Sequence, residues 1–237
     1  MSRTKIIAAG NQKGGVGKTH INLILASHFH KNTDMSVVAI DLDDGQQTLW
    51  LKRKKDMAEG ADVDQWYDVF LMEPQQFPQT FAEELDGNVD LVVIDLPGNM
   101  MQPGVMGCYT LTDLIIVPTD LDEENYQASD LYIKQIHENV NPLRLKSGFP
   151  EIEVRKLLNK IDLTENETAS AYTDYLNGYF GDNWFGAALP KSKKTFAANA
   201  TTVNEFSYFS SSKKFRGKGD LVKNFCKEVE EILSKID

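Results

Sequence analysis

A chain of 237 residues, 41% of them hydrophobic and 25% charged, can bury a sizeable core without disulfides or structural metal. Its formal charge of −10 argues against a surface that is basic everywhere, but not against a local basic patch. Cys108 and Cys226 lie far apart without metal-ligand spacing, no run of about 18 apolar residues offers a membrane span, and residues 1–5 lead into a strand without a signal-peptide core; a reduced, cytoplasmic protein is expected.

Apolar runs alternate with amphipathic stretches, which predicts βαβ units and a mostly parallel sheet in one domain spanning 1–237. Ile6 to Ala9 reads as the first strand, followed by a glycine-rich loop. From Lys18 the apolar positions Ile21, Leu23, Ile24, Leu25, Ala26 and Phe29 suit a helix packed on the sheet. Val37 to Ile40 is a second strand ending in Asp41, and Gln47 to Met57 is helical. Residues 60–78 show no clear element, with a loop bracketed by Pro74 and Pro78, before a short helix at Phe81 to Leu85. Leu91 to Ile94 suits a strand buried on both faces. Leu114 to Val117, stopped by Pro118, is another. A helix follows from Glu123 to Asn139, with Tyr126, Leu131, Ile133 and Ile136 for its buried face. Ile152 to Leu158 is a late strand, and Asp220 to Ile236 a helix with Leu221, Phe225, Val229, Ile232 and Leu233 along one stripe.

The run Gly10-Asn11-Gln12-Lys13-Gly14-Gly15-Val16-Gly17-Lys18-Thr19 sits between a strand and a helix. Glycines at 14, 15 and 17 let backbone N–H groups approach phosphate oxygens around Val16 without interference from a Cβ. The following helix directs the positive end of its dipole at the anion. Lys18 supplies a cation for the β- and γ-phosphates, and Thr19 a hydroxyl for Mg²⁺. A strict P-loop pattern would have glycine at position 12; Gln12 stands there, and a second lysine, Lys13, follows it. Later, Leu91-Val92-Val93-Ile94-Asp95 has the form of a buried strand delivering a carboxylate toward the metal.

These residues resemble the deviant Walker A ATPases of the ParA/MinD family, in particular the small ParA proteins without an N-terminal DNA-binding domain. The resemblance implies the three-layer α/β P-loop NTPase fold, a mostly parallel twisted sheet flanked by helices. It implies ATP and Mg²⁺ as cofactors, and a homodimer formed on ATP in which Lys13 reaches the partner subunit's phosphates. Asp41-Leu42-Asp43-Asp44 resembles the family's Asp-x-Asp-Pro-Gln box. By that match Asp43 orients the attacking water and Asp41 supports the metal alongside Thr19 and Asp95. Asp44 departs from the family's proline. Asp95-Leu96-Pro97-Gly98 is similar to the segment in which Gly98 senses the γ-phosphate. His20 replaces a threonine usual after the loop and is expected to alter contacts to the α-phosphate. Asn159-Lys160-Ile161-Asp162 coincides with the guanine-reading box of other GTPases, whereas the family carries an Asn here beside adenine; ATP is expected and GTP stays open. Further similarity lies at Thr112 to Pro118, at Leu189-Pro190 and at Ala197 to Glu205, while residues 50–88 match thinly.

The family's function would be ATP-driven partitioning of plasmid or chromosomal DNA over the nucleoid, with a ParB-type adaptor. An independent sign is charge. Between residues 183 and 218, Lys191, Lys193, Lys194, Lys213, Lys214, Arg216 and Lys218 face the single acid Glu205, a net +6 within a chain of −10. Such asymmetry can form a nonspecific DNA-binding face. A MinD-like membrane ATPase would end in a basic amphipathic helix, whereas the last residues here are acid-rich and no membrane partner is expected. Conjugative-transfer relatives, or a nucleotide-gated scaffold with negligible hydrolysis, are the alternatives.

Overall fold

The structure, a computed structural model, describes residues 3–161, 183–191, 201–203 and 218–236. Six strands form one sheet: β1 (Lys5–Ala9), β2 (Val37–Asp41), β3 (Asp68–Leu71), β4 (Leu91–Asp95), β5 (Leu114–Thr119) and β6 (Glu153–Leu158). Their order is β3-β2-β4-β1-β5-β6 and every pairing is parallel. The helices are α1 (Lys18–Asn32), α2 (Thr48–Ala58), α3 (Phe77–Thr80), α4 (Val105–Leu111), α5 (Glu123–Gln135), α6 (Asn141–Lys146) and α7 (Lys218–Leu233).

Parallel strands joined by helices must be covered on both faces, and the core accordingly falls into two halves. On one face Ile7, Ala39, Val93 and Ile116 meet α1, α2 and α7 through Ile24, Leu49 and Phe225. On the other, Ile6, Ile40, Ile94 and Ile115 meet α3, α4 and α5 through Phe77, Val105 and Tyr132. Each fully buried aliphatic side chain contributes roughly 2 kcal/mol relative to exposure. This is the three-layer α/β arrangement expected of the sequence.

Several elements differ from expectation. β3 lies in the stretch 60–78, where the sequence shows no clear element. It is an edge strand in which Val69 is buried while Asp68, Phe70 and Leu71 are exposed, so no apolar run announces it. Pro78 belongs to the first turn of α3, where its missing N–H costs nothing. Pro118 does not end β5: it stays in register with Leu157, and its carbonyl accepts from the Asn11 amide at 3.0 Å. α4 was not anticipated among the glycines and methionines around it. In α5 it is Tyr132 that is buried, while Leu131 is 54% exposed. α5 then passes through a wide turn at Ile136–Val140 into α6. In α7 the buried stripe is Val222, Phe225, Cys226, Val229 and Leu233, one position away from Leu221.

Register decides where chemistry can occur. Ala9 and Asp41 both stand level with Asp95, so β1, β2 and β4 end together at their carboxyl edges. The loops leaving those three strands open into one crevice, where the order of connections reverses about β1.

Candidate nucleotide-binding site

The glycine-rich loop leaves β1 under tight constraint. A Cβ on Gly10 would come within 2.1 Å of the Tyr132 hydroxyl, so α5 itself requires glycine there. Asn11 then pins the turn: its Oδ1 accepts from Lys13 N at 3.0 Å, and its Nδ2 donates to Pro118 O and Ser129 Oγ. Gly15 and Gly17 have φ of +74° and +101°. A Cβ on Gly14 or Gly15 would meet nothing within 4 Å, so this backbone faces open space. Gly17 caps α1, and its carbonyl accepts the first helical bond from Ile21 N at 3.0 Å.

The loop is held from behind by the end of β6. Asn159 Nδ2 donates to Val16 O at 2.7 Å, and Lys160 Nζ donates to Gly15 O. Lys160 adopts a left-handed φ of +59°. The Asn159 side chain is buried, with its Oδ1 accepting from Lys160 N at 2.9 Å. Asn159 therefore braces the loop backbone, and it is not among the residues lining the cleft in front of it. Asp162, which would complete a guanine-reading box, lies outside the described residues.

In front of the loop lies a cleft of about 260 Å³, lined by Gly14, Gly15, Gly17, Lys18, Thr19 and His20 of the loop and α1, and by Asp43, Gln46, Thr48, Lys52, Asp95 and Leu96 from the segments after β2 and β4. Thr19 Oγ1 donates to Asp95 Oδ2 at 2.6 Å. Asn22, one turn further along α1, donates to Asp95 Oδ1 at 2.9 Å and accepts from Ala9 N at 2.8 Å. Burial pushes the Asp95 carboxyl up to about 7; Asp41 adds to the shift, and Thr19, Asn22 and Lys18 oppose it. Burial also lowers Lys18, while Asp95 and Asp43 hold it up. A hydroxyl and a carboxylate 2.6 Å apart beside an open glycine backbone suit a hard divalent cation shared with phosphate oxygens.

Asp41 is fully buried below the cleft. Its oxygens accept from Asp43 N at 3.1 Å and Trp50 N at 3.0 Å, anchoring the start of α2. Burial raises its carboxyl, and these N–H groups restrain the rise. Any support it gives to a metal is therefore indirect. Asp44, at the position of the family's proline, accepts from Gln102 Nε2 at 2.8 Å and so joins the loop after β2 to the loop after β4. Gly98 sits against the glycine-rich loop: a Cβ there would lie 3.4 Å from Gln12 O and 3.9 Å from Lys18 Nζ. Burial, with Lys52 and Lys160, lowers His20 to about 4.

Lys13 stands apart from these groups. It is 45% exposed and lies 3.8 Å from Glu124 on α5, outside the residues lining the cleft. Of the basic candidates, Lys191 is exposed just beyond the β6 edge, where its N–H donates to Ile161 O at 2.7 Å. Lys218 begins α7. Lys193, Lys194, Lys213, Lys214 and Arg216 lie outside the described residues, as do Ala197–Ala200 and Glu205. The sequence reading missed Asn11, Asn22, Lys52 and Lys160. Asn22 carried a usable signal, being a polar residue on an otherwise apolar helix one turn past Thr19.

A family model described as an AAA domain matches residues 4–59, which include β1, the loop, α1 and the β2 acids. No curated protein matches the chain. Solved structures do. A plasmid partition protein from Borrelia burgdorferi B31 bound to AMPPNP is 18% identical, with 98% of this chain and 99% of that chain covered and a TM-score of 0.62. The MinC:MinD cell division complex of Aquifex aeolicus is 14% identical, covers 96% of each chain and has a TM-score of 0.67. Cobyrinic acid a,c-diamide synthase from Mycobacterium smegmatis, with bound ATP analogue and magnesium, is 16% identical, with 98% and 96% covered and a TM-score of 0.67. Together with the all-parallel sheet, these neighbours show that the chain has the P-loop NTPase fold of ParA/MinD-type proteins.

Proposed function

We propose that this chain is a Mg²⁺-dependent ATPase that dimerises with ATP bound and, as a dimer, holds DNA nonspecifically for plasmid or chromosome partitioning, with a ParB-type adaptor as its trigger. The observation that carries this reading is the division of labour between two lysines. Lys18 lies within the cleft beside Asp43 and Asp95, whereas Lys13 stands on the outer flank of the same loop. A cation so placed is available to a phosphate presented by a second subunit.

Within one subunit, the loop amides and Lys18 hold the phosphates, and the dipole of α1 favours their charge. Thr19 and Asp95 would hold Mg²⁺, which when bound neutralises charge building on the β- and γ-oxygens. Asp43, at the cleft wall, orients the attacking water. Gly98, against the loop and Lys18, offers its N–H where the γ-phosphate ends, so hydrolysis releases that segment. AMPPNP and an ATP analogue with magnesium in structural neighbours favour ATP over GTP. Lys191 at the β6 edge and the basic residues between 193 and 218 supply the DNA face, which places the protein on the nucleoid.

The deciding experiment is DNA binding by the full chain with ATP, GTP or ADP. Binding is expected with ATP and absent with ADP. Charge reversal at Lys213, Lys214 and Arg216 should weaken it, and unchanged affinity would remove this patch from the reading. In sedimentation with a non-hydrolysable ATP analogue, the wild type should dimerise and Lys13→Ala should not. Nucleotide binding without turnover, even with DNA and adaptor present, would favour a scaffold.

A further inference from the structure

We infer that Lys52 is a second phosphate-binding cation of the cleft, set at the α-phosphate end of a bound nucleoside di- or triphosphate while Lys18 serves the other end. This rests on the nucleotide-hydrolase reading and assigns a role to a helix that the sequence motifs leave aside.

The placement follows from α2. Thr48 and Lys52 are four residues apart, hence on one face of the helix, and both line the cleft together with Gln46. The rest of the basic run Lys52-Arg53-Lys54-Lys55 is directed elsewhere. Arg53 is buried with its guanidinium donating to Tyr67 O at 2.5 Å, Lys54 is exposed, and Lys55 lies 3.7 Å from Glu59. Lys52 is half-buried, with its stem along the wall.

Charge is unevenly spread along the cleft. The electrostatic neighbours of Lys18 are Asp95 and Asp43, which with Thr19 mark the metal and γ-phosphate end. His20, the residue after Thr19, has Lys52 and Lys160 as its neighbours instead. Lys160 already donates to Gly15 O, which leaves its role tied to the loop backbone. Lys52 lines the same cleft from α2, and a phosphate between α2 and the start of α1 would meet both its ammonium and the helix N-terminus.

Calorimetric titration of the full chain with ADP and with AMPPNP tests this, comparing wild type, K52M, K52R and K18A. Lys52→Met keeps the apolar stem and removes the charge. It should weaken both nucleotides by the same factor, about tenfold, a typical loss for one charge-assisted contact. Lys52→Arg, which keeps the charge, should stay within about threefold of wild type. Equal affinities in K52M and wild type, with K18A impaired, overturn the proposal and leave the nucleotide-hydrolase reading standing. A loss confined to AMPPNP also overturns it, since it moves Lys52 to the γ end. A wild type that binds neither nucleotide overturns both.

Discussion

Asp95 shows how much of the site's behaviour is set by the surroundings of one side chain. Its carboxyl lies at about 7 in the folded protein against 3.8 ordinarily, chiefly through burial. The folded state thus retains a proton that the unfolded chain releases. This contribution to stability is fully present below about pH 4 and is lost as pH rises through 7. Asp95→Asn can still accept from Asn22 and engage Thr19 while removing the charge. Without nucleotide it should be more stable than wild type by about 2 kcal/mol at pH 8, with a smaller gain at pH 5, as read by denaturant unfolding. On the proposed reading its ATP turnover should fall by roughly a hundredfold or more, because the carboxylate proposed to hold Mg²⁺ is gone. Gly10 is a second such position. Gly10→Ala sets a methyl 2.1 Å from the Tyr132 hydroxyl in a buried contact, and should cost about 2–3 kcal/mol. Tyr132→Phe removes the clashing oxygen and also breaks its 2.6 Å bond to Tyr109. In the double variant the two costs should sum to less than their separate values, and strict additivity in unfolding would refute the clash.

Among the elements, α2 is tied at both ends to what surrounds it. Asp41 accepts from Trp50 N near its start. Near its end buried Asp56 accepts from Thr202 N at 2.6 Å and Thr202 Oγ1 at 2.5 Å. Asp56→Ala strands a buried N–H and a hydroxyl, and should lower unfolding free energy by about 2–3 kcal/mol, whereas Thr202→Val, which keeps the backbone bond, should lose only about 1. Equal losses would show that the hydroxyl carries the contact. How legible these elements were follows from their burial. β1, β2 and β4 are covered on both faces and read as continuous apolar runs, and α1 was evident from its apolar positions. β3 is an edge strand with one buried residue, and α4 is built from Val105, Cys108 and Tyr109 among glycines, so neither has a periodic signature. The same holds for the site. Lys18, Thr19 and Asp95 stand at motif spacing, but Asn11, Asn22 and Lys160 act through contacts between distant segments, which a linear pattern does not carry.

At the scale of the molecule, the level endings of β1, β2 and β4 bring the loop, Asp41 and Asp95 together, and β6 carries Lys191 to the same edge of the sheet. DNA bound there would be attracted locally and repelled by the acidic remainder of a −10 chain. Binding should therefore be steep in salt, falling about a hundredfold between 50 and 200 mM if roughly four phosphates are neutralised. A flat salt dependence in a filter or anisotropy assay would rule out phosphate contact as its basis. The brace behind the glycine-rich loop has a consequence of another kind. Its two members, Asn159 and Lys160, join the chain more than a hundred residues after the loop they hold. During synthesis the glycine-rich loop is made well before its brace, and its backbone is not fixed until β6 has folded beside β5. The shape of the loop therefore depends on a pair of residues that the chain supplies only after more than a hundred others, and on β6 taking its place beside β5.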